Sequence, residues 1–580
     1  MGPGSLASAS TGLSGCAPRV RRNRFDVRLP GGVMAHDDGQ GSAPTAATGM
    51  ARRTLLRGLG AAGVGAAITG TGSTAAAPAP GPRAVASATS TASGQITAEG
   101  VTRALAVLDD IVKKDKAATS VPGIAVAVVY EGQVRYLKGL GERQAGVVGD
   151  VDVDTVFQLA SVSKPLSSTV IAAALTRRLA KVDWNDTLQT FRPGFTLADA
   201  WVGQHVTVAD MFSHRSGLPD HAGDLLEDLG YTGEQIISKL ALYPLARFRD
   251  NYAYTNYGLT AGAQAFATAT GRSWQDLSRE MIFAPLGMSS TSYSFADLQA
   301  SKNRAALHTL VNGQWTPDLG ANNDGQAPAG GANSSVRDLA RWLTMLISGG
   351  GFPGLQTPVV DVPGLQTVWK PNNVTHGPEE LGGRASFYGL GWNVDYEDTG
   401  ELRLGHSGGF GRGASTVITV YPSKKLAIAV LTNSDPRGVP EAIAAEFVDI
   451  VRYNASTRDW LAFLAPIVAE PITPDQTKYS KPAVNPTPAR NLGAYVGTYP
   501  NRVYGDLTVS LRDGALSFTV GPAGKRFPLT HYSGDEFYFQ TTGENASGFS
   551  GALFAAPRTK VLSLTINAWN RDKLGVFTRR

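Results

Sequence analysis

Hydrophobic positions recur with two different periods between residues 96 and 465. From 96 to 116 they recur at intervals of three and four, which predicts an amphipathic helix with Val101, Leu105, Leu108 and Val112 on one face. Gly123–Tyr130 and 134–140 are apolar runs rich in β-branched residues, and a Glu-Gly turn sequence at 131–132 separates them. This second pattern predicts a β-hairpin.

Three further strand-like runs come late in the chain, at 402–406, 415–420 and 426–431, after a long stretch of helical and loop character. The simplest architecture is one antiparallel sheet built from both ends of a domain, with a helical insertion between them. A helix predicted at 440–453 would pack back onto this sheet. The expected fold class is therefore α/β, an antiparallel sheet flanked by helices with a helical subdomain, in a domain spanning 96–465.

The C-terminal part of the chain has another pattern. Residues 471–490 hold five prolines and few large apolar residues, which is typical of a linker, and its expected boundaries are 466–490. Residues 491–580 form short strand-like runs with turn sequences at 513–514 and 533–534. They predict a small all-β domain, an antiparallel sandwich or barrel.

Charge distinguishes only the N-terminal segment. The 580-residue chain has a formal net charge of +5, which by itself points to an anionic partner such as nucleic acid or a membrane surface. Residues 1–100, however, hold nine arginines, no lysine and four acidic residues, so that 9 − 4 accounts for the whole +5. Because residues 101–580 carry no net positive charge to neutralise phosphates, no nucleic-acid partner is expected.

Residues 1–95 are interpreted as an export leader followed by a disordered linker. Two arginines at 52–53 precede a short Gly/Ala-rich apolar run, and three alanines follow at 75–77, which resembles a twin-arginine export signal. We therefore expect an exported protein, secreted, periplasmic or associated with the cell envelope, whose translation starts at Met34 or Met50; a disordered basic tail is the alternative. The apolar run is too short to span a membrane. The single cysteine, Cys16, excludes an intramolecular disulfide and a cysteine-ligated metal site.

Ser161 and Lys164 are the first residues whose spacing indicates chemistry. Pro165 suits the first turn of a helix, and the apolar residues 166–179 predict that this helix is buried. A spacing of three places Ser161 and Lys164 on one face. Burial disfavours the charged form of a lysine, and a neutral lysine can accept the proton of a serine hydroxyl, which produces a nucleophile without histidine. The spacing alone is more typical of a capping serine near a solvated lysine.

Two later motifs carry residues suited to the same chemistry. Tyr254 and Asn256 open a predicted helix; a tyrosine hydroxyl near cations can relay a proton, and an asparagine amide offers a donor and an acceptor to a substrate amide. His406, Gly408 and Gly409 end a predicted strand, where glycine lets a substrate approach the strand edge. Taken singly, these motifs are more typical of a core tyrosine with an N-capping asparagine and of a strand-to-turn transition.

In combination, Ser-x-x-Lys, Tyr-x-Asn and His-x-Gly resemble the serine β-lactamase-related hydrolases, which include penicillin-binding proteins, class C β-lactamases, D,D-carboxypeptidases, D-aminopeptidases and esterases. Segments 206–218, 285–288 and 329–340 are similar to the same family. The resemblance implies an α/β fold with a helical subdomain and a cleft between them. Segments 492–499 and 575–577 resemble the lipocalin-like β-barrel appended to some members. In relatives such domains help to assemble oligomers or shape access to the cleft, and either role is open here.

The resemblance implies a role for each motif residue. The catalytic residues would be Ser161 as nucleophile, Lys164 and Tyr254 as the proton-transfer pair, and the N–H groups of Ser161 and Gly409 as the oxyanion hole. The substrate-binding residues would be Asn256, His406 and Gly408. The mechanism would be acylation of Ser161 followed by attack of water or another acceptor, and it requires no metal or cofactor.

His406 stands where other members of the family have lysine. A lysine there would give the carboxylate of a β-lactam or a peptide C-terminus a charge-assisted hydrogen bond worth about 1.5–3 kcal/mol, and a largely neutral histidine gives less. The sequence therefore favours an exported serine hydrolase acting on small-molecule esters or D-amino-acid amides and peptides. A β-lactamase or D,D-carboxypeptidase is the alternative among enzymes, and a non-catalytic penicillin-binding sensor of the cell envelope is the alternative from another class. A metal site at 214–224 is not expected, because the spacing of its histidines and aspartates matches no ligand pattern.

Overall fold

The computed structural model describes residues 94–179, 181–378, 383–469, 472–557 and 560–580. The predicted export leader, with its arginine pair, its two candidate start methionines and Cys16, lies outside these residues.

Within the described residues, a nine-stranded antiparallel sheet forms the centre of the larger part of the molecule. Its strand order is β3-β2-β1-β13-β12-β11-β10-β9-β8, so that strands from the two ends of the domain meet where β1 pairs with β13. The remaining strands of this part form two pairs, β4 with β7 and β5 with β6. The strands are β1 (Gly123–Tyr130), β2 (Gln133–Gln144), β3 (Val147–Asp150), β4 (Val156–Gln158), β5 (Leu307–Val311), β6 (Gln314–Asp318), β7 (Asn333–Ser335), β8 (Asn373–His376), β9 (Ser386–Tyr388), β10 (Asn393–Tyr396), β11 (Leu402–Phe410), β12 (Ala414–Tyr421) and β13 (Leu426–Thr432).

Helices cover both faces of this sheet and fill the long insertion between β4 and β8. They are α1 (Ala98–Thr119), α2 (Ser163–Thr176), α3 (Leu188–Phe191), α4 (Ala200–His205), α5 (Val208–Phe212), α6 (Asp224–Asp228), α7 (Gly233–Lys239), α8 (Asn256–Ala269), α9 (Trp274–Ser278), α10 (Ala284–Leu286), α11 (Phe295–Ala300), α12 (Ala327–Gly330), α13 (Val336–Ile347), α14 (Val362–Trp369), α15 (Val439–Tyr453), α16 (Trp460–Val468) and α17 (Pro474–Tyr479). Helices α1 and α15 pack together, and α15 lies on β12 and β13, whereas α13 packs on β1 and β13.

The predicted hairpin, the three late strands and the returning helix are all confirmed. Seven of the eight residues of β1 are buried, because helices cover both of its faces, and this explains why the strand is a continuous apolar run rather than an alternating one. β11 is longer than predicted: it does not end at His406 but continues through the glycines to Phe410, since Gly408 and Gly409 pair with Thr416 and Ser415 of β12.

The C-terminal part is all-β beyond its first helix. Its strands are β14 (Gly497–Tyr499), β15 (Leu507–Arg512), β16 (Ala515–Val520), β17 (Lys525–Pro528), β18 (Thr530–Ser533), β19 (Glu536–Gln540), β20 (Phe549–Ala555), β21 (Ser563–Ile566) and β22 (Val576–Thr578). The described strands pair into two antiparallel sheets, β14–β17 and β18–β22, so the closed barrel is not confirmed. Aromatic rings join the two sheets, with Phe518 and Phe527 at 4.9 and 5.2 Å from Phe539.

The segment predicted as a linker, 466–490, contains the short helix α17. Proline at the first position of α17 starts a helix there rather than preventing one. The helix is held to β19 and β20: Tyr479 stacks on Tyr538 at 4.9 Å, and the N–H of Gly551 donates to Asp475 at 2.7 Å. None of the helices described in the structure is both long enough and apolar enough to cross a membrane.

Candidate active site

Ser161 lies in a short 3₁₀ turn, Ala160–Val162, between β4 and α2. The residue before it, Ala160, has a φ of 47°, a left-handed conformation that residues with a side chain rarely adopt. Two hydrogen bonds hold this turn: Ser163 Oγ donates to the Ala160 carbonyl at 2.6 Å, and the Leu159 N–H donates to the Ala332 carbonyl at 2.8 Å. The chain therefore presents Ser161 just before α2 in a fixed and strained conformation.

Two groups that can carry a proton converge on Ser161 Oγ. The completely buried Lys164 has its Nζ 3.1 Å away, and the Tyr254 hydroxyl donates at 2.7 Å. Lys164 Nζ also donates to Asn256 Oδ1 and to the Ala329 carbonyl, both at 2.8 Å. Because these two carbonyl oxygens can only accept, they occupy two N–H groups of the amine, whereas the Ser161 hydroxyl can donate or accept. The three contacts can be made by an ammonium that donates to all three oxygens, or by a neutral amine whose lone pair faces the Ser161 hydroxyl.

A network of hydrogen-bonded polar side chains continues from Lys164 away from the serine. Asn256, the first residue of α8, accepts from Lys164 through Oδ1 and donates through Nδ2 to Asp224 Oδ2 at 2.8 Å. The same carboxylate oxygen lies 2.5 Å from His221 Nδ1. Both ends of the Asn256 amide are thus occupied within the protein, so it orients the lysine. The sequence contains no local signal for this hydrogen-bonded network, because Asp224 lies 32 residues before Asn256.

His406 lies across the site from Ser161, within β11. Its Nδ1 is 2.6 Å from the Ser407 carbonyl oxygen and therefore carries a proton, so that in the neutral ring Nε2 accepts from the Tyr388 hydroxyl at 2.9 Å. The His406 ring centroid is 6.4 Å from that of Tyr254, and the buried His214 ring packs against Tyr254 at 4.6 Å. Tyr388, which the sequence did not single out, thus holds the His406 ring in place through a hydrogen bond.

A side chain at position 408 and one at position 409 would point to opposite faces of β11. A Cβ on Gly408 would lie 2.3 Å from the Leu159 carbonyl oxygen and 2.9 Å from the Ser161 nitrogen, so the glycine lets the strand touch the serine turn. A Cβ on Gly409 would instead meet Pro436, and Gly409 is exposed.

The structure brings the seven predicted site residues together. Ser161 lies in the serine turn and Lys164 follows it in α2. Tyr254 is hydrogen-bonded to Ser161 and Asn256 to Lys164. His406, Gly408 and Gly409 lie on β11, which touches the turn at Gly408.

A comparison with protein families identifies this arrangement. The family model described as Beta-lactamase matches residues 108–452, from within α1 almost to the end of α15. The chain belongs to the beta-lactamase family. It is accordingly a hydrolase with the fold of that family of serine hydrolases, as the motifs predicted. Residues 481–575 match a domain of unknown function, DUF3471.

Curated relatives of this beta-lactamase-family chain include hydrolases from distant organisms. The unguisins hydrolase ungD′ of Aspergillus campestris is 28% identical over 421 residues, which is 69% of this chain and 76% of the relative. The D-alanyl-D-alanine-carboxypeptidase/endopeptidase AmpH of Escherichia coli is 25% identical over 321 residues, 54% of this chain and 80% of AmpH. The solved structure of the octameric penicillin-binding protein homologue from Pyrococcus abyssi, 21% identical, aligns with a TM-score of 0.50 over 82% of this chain and 100% of that chain, a similarity of fold.

The site of this family member has an acidic neighbour. Burial and the nearby Asp224 raise the pKa of Glu227, on the same helix α6, to about 8, although Gln326 donates a hydrogen bond to it. At neutral pH Glu227 is therefore mostly protonated, which limits the negative charge near Asp224. Among the residues that the structure describes, no group of three or more His, Cys, Asp and Glu side chains is arranged to hold a metal ion.

Proposed function

We propose that this chain is an exported serine hydrolase that forms an acyl-enzyme on Ser161 and acts on esters or on D-amino-acid amides and peptides. The observation that carries the proposal is the surroundings of Ser161 Oγ, with Lys164 Nζ at 3.1 Å and the Tyr254 hydroxyl at 2.7 Å. These distances are within hydrogen-bond reach, as a nucleophile and its base require.

The proposed reaction uses these groups in sequence. The Lys164–Tyr254 pair accepts the proton as Ser161 Oγ attacks the substrate carbonyl carbon, and the carbonyl electrons move onto its oxygen. The N–H groups of Ser161 and Gly409 stabilise that oxyanion. Its collapse breaks the bond to the leaving alcohol or amine, which takes the proton back from the pair. Water then attacks the acyl carbon and gives its proton to the same pair. Collapse of this second intermediate breaks the bond to Ser161 Oγ, which takes the proton back from the pair as the acid is released.

His406 supports the choice of substrate class. Because a neutral His406 is already engaged by Tyr388 and by the Ser407 carbonyl, it offers no permanent positive charge to a substrate carboxylate. A substrate that relies on a carboxylate loses a charge-assisted bond of about 1.5–3 kcal/mol, or roughly 10- to 100-fold in affinity, relative to a site with lysine. An ester or an amide without a carboxylate makes no such bond, so its affinity is not reduced by the histidine.

A β-lactamase or D,D-carboxypeptidase is the second candidate. AmpH is named as a D-alanyl-D-alanine-carboxypeptidase, and its similarity extends over 54% of this chain. Export by a twin-arginine signal is part of the main proposal and rests on the arginines at 52–53. N-terminal sequencing of the secreted protein tests it: we expect a mature terminus just after the alanines at 75–77, and a terminus before residue 50 would refute it.

A substrate panel on the purified mature protein decides between the candidates. It comprises a short-chain p-nitrophenyl ester, a D-alanine anilide, a D-Ala-D-Ala peptide and a chromogenic cephalosporin, each tested with the wild type and with Ser161→Ala. We expect turnover of the ester or the anilide and none in the variant. Wild-type activity in Ser161→Ala would refute the mechanism. A preference for the peptide or the cephalosporin would favour the second candidate, and stoichiometric fluorophosphonate labelling without turnover of any substrate would favour a sensor.

A further inference from the structure

Among the contacts of the C-terminal part with the surroundings of the candidate active site are those of one loop, residues 541–548 between β19 and β20. At its tip are Gly543, Glu544 and Asn545. Gly543 has a φ of 110°, and a Cβ on it would lie 2.2 Å from Asp228 Oδ1, so the loop approaches α6 as closely as a backbone can. No local pattern in the sequence predicts this contact, because Glu544 lies 133 residues from its partner Gly411.

On one side the loop is bonded to α6. The carboxylate of Asp228, the last residue of α6, accepts the backbone N–H groups of Glu544 and Asn545, both at 2.9 Å. Asn545 Nδ2 also donates to the carbonyl of Asp224, the first residue of the helix, at 3.0 Å. The side chain of Asp224 orients Asn256, so the loop holds the helix that supports the lysine.

On the other side the loop is bonded to the turn between β11 and β12. The Glu544 carboxyl group accepts the N–H of Gly411 at 2.7 Å on one oxygen and that of Arg412 at 3.3 Å on the other. Burial raises the pKa of Glu544 to about 8, although these two N–H groups favour the ionised form. The Arg412 side chain is turned away to Asp318, with its Nε 2.9 Å from the carboxylate, so the main chain and not the guanidinium contacts Glu544. Gly409 lies on β11, two residues before Gly411 of this turn.

We propose that Glu544 is a positioning residue of the hydrolase site: by joining the β11–β12 turn to α6, it sets the position of the Gly409 N–H relative to Ser161 and Lys164. This inference rests on the proposed function, because it takes Gly409 as an oxyanion donor. It gives the C-terminal all-β part of the chain a role in the reaction although Glu544 itself touches no substrate.

The variants follow from the two hydrogen bonds. In Glu544→Gln the amide keeps one acceptor and turns an NH₂ donor towards the other N–H, and in Glu544→Ala both acceptors are lost. A shift of about 1 Å at a reacting group costs on the order of 100-fold in rate. We therefore expect kcat on p-nitrophenyl acetate to fall roughly 10- to 100-fold in both variants with KM changed less than about threefold, because the missing stabilisation belongs to the transition state.

Tyr231→Phe is the matched control. It removes one hydrogen bond, from the Tyr231 hydroxyl to the Tyr504 carbonyl at 2.9 Å, between the same two parts of the chain but not at the β11–β12 turn. The full-length wild type and the variants are compared in ester kinetics, in the rate of fluorophosphonate labelling and in amide hydrogen exchange of residues 406–414. We expect Glu544→Ala to slow turnover and labelling and to speed exchange in this segment, and Tyr231→Phe to match the wild type.

Either of two results would overturn the inference. One is wild-type kinetics and wild-type exchange in Glu544→Ala, which removes both acceptors whether or not the carboxyl group is ionised; the other is an equal loss in Tyr231→Phe, which would mean that any weakening of this interface has the same effect. Failure of the proposed function looks different, since the wild type itself would then neither turn over the ester nor be labelled. Hydrogen exchange still decides in that case whether Glu544 holds the turn, because it requires no chemistry at Ser161.

Discussion

Replacing Gly408 by alanine tests how β11 is placed against the nucleophile. A Cβ at this position would lie 2.3 Å from the Leu159 carbonyl oxygen, 2.5 Å from Thr416 Oγ1 and 2.9 Å from the Ser161 nitrogen. Two of these atoms belong to the main chain of the serine turn, so no side-chain rotation can remove the clash. The strand and the turn must move apart.

The size of this movement sets the expected loss. Ordinary contact of a Cβ begins at about 3.4 Å, so the distance to the Leu159 oxygen must grow by about 1.1 Å. A misplacement of about 1 Å costs on the order of 100-fold in rate. The inserted methyl group should also destabilise the protein by about 1–3 kcal/mol, as extra atoms in a packed interior do. We therefore expect Gly408→Ala to fold, to melt a few degrees lower and to lose roughly 100-fold in kcat/KM.

The assay is p-nitrophenyl acetate hydrolysis, with the rate of fluorophosphonate labelling as a direct measure of Ser161 reactivity. Gly377→Ala is the matched control, since a Cβ there would meet nothing within 4 Å. It should keep wild-type kinetics and stability. If Gly408→Ala hydrolyses the ester within about threefold of the wild-type rate, the close approach of β11 to Ser161 does not position the reacting groups, and the reasoning is wrong.

Three further predictions concern neighbouring groups. Asp224→Ala should lower kcat on the ester roughly 10- to 100-fold, because Asn256 loses a hydrogen bond to a charged group worth about 1.5–3 kcal/mol and no longer holds Lys164. The control is Asp398→Ala, at an exposed aspartate that pairs with Arg384, and equal rates in the two variants would contradict this prediction. His406→Lys should accelerate acylation by a fluorescent penicillin roughly 10- to 100-fold, because lysine offers the penicillin carboxylate a positive charge. An unchanged rate would contradict the role given to His406 in selecting the substrate class. Burial raises the pKa of Glu227 from 4.5 to about 8, so the folded protein retains a proton that the unfolded chain has lost. The free energy of unfolding that Glu227 contributes should then be fully present below pH 4.5 and decline as pH rises to 8. Thermal unfolding from pH 5 to 9 should show a smaller decline in Glu227→Gln, and identical pH dependence in both proteins would argue against a raised pKa.

The pattern of apolar positions predicted α1, the β1–β2 hairpin, the three strands β11–β13 and α15, because each carries a continuous or periodic apolar run. It did not assign most of the individual strands and helices of the long insertion between β4 and β8. This pattern did not predict the last residues of β11 or the helix α17, and the reasons are local. Glycine has a low intrinsic preference for strands, and only the pairing of Gly408 and Gly409 with β12 keeps them in one. Likewise, prolines indicated a linker where contacts of Tyr479 with the following sheet stabilise a short helix.

The residues of the candidate site also fall into those that local spacing predicts and those that only distant contacts bring together. Ser161 and Lys164 could be paired from sequence because one helical turn separates them. Asp224, Tyr388 and Glu544 could not, because each is joined to the site only by contacts between residues far apart in the chain.

By itself, the sequence determined the main strands of the sheet, the family motifs and the candidate reacting side chains, since these depend on local spacing and on which residues can be buried. Tertiary structure alone decided that Asn256 faces the lysine, that His406 is held by Tyr388, and that a carboxyl group from the C-terminal part fastens the turn after Gly409. These arrangements depend on which surfaces meet when the sheet, the insertion and the C-terminal sheets pack together, and no local pattern records that.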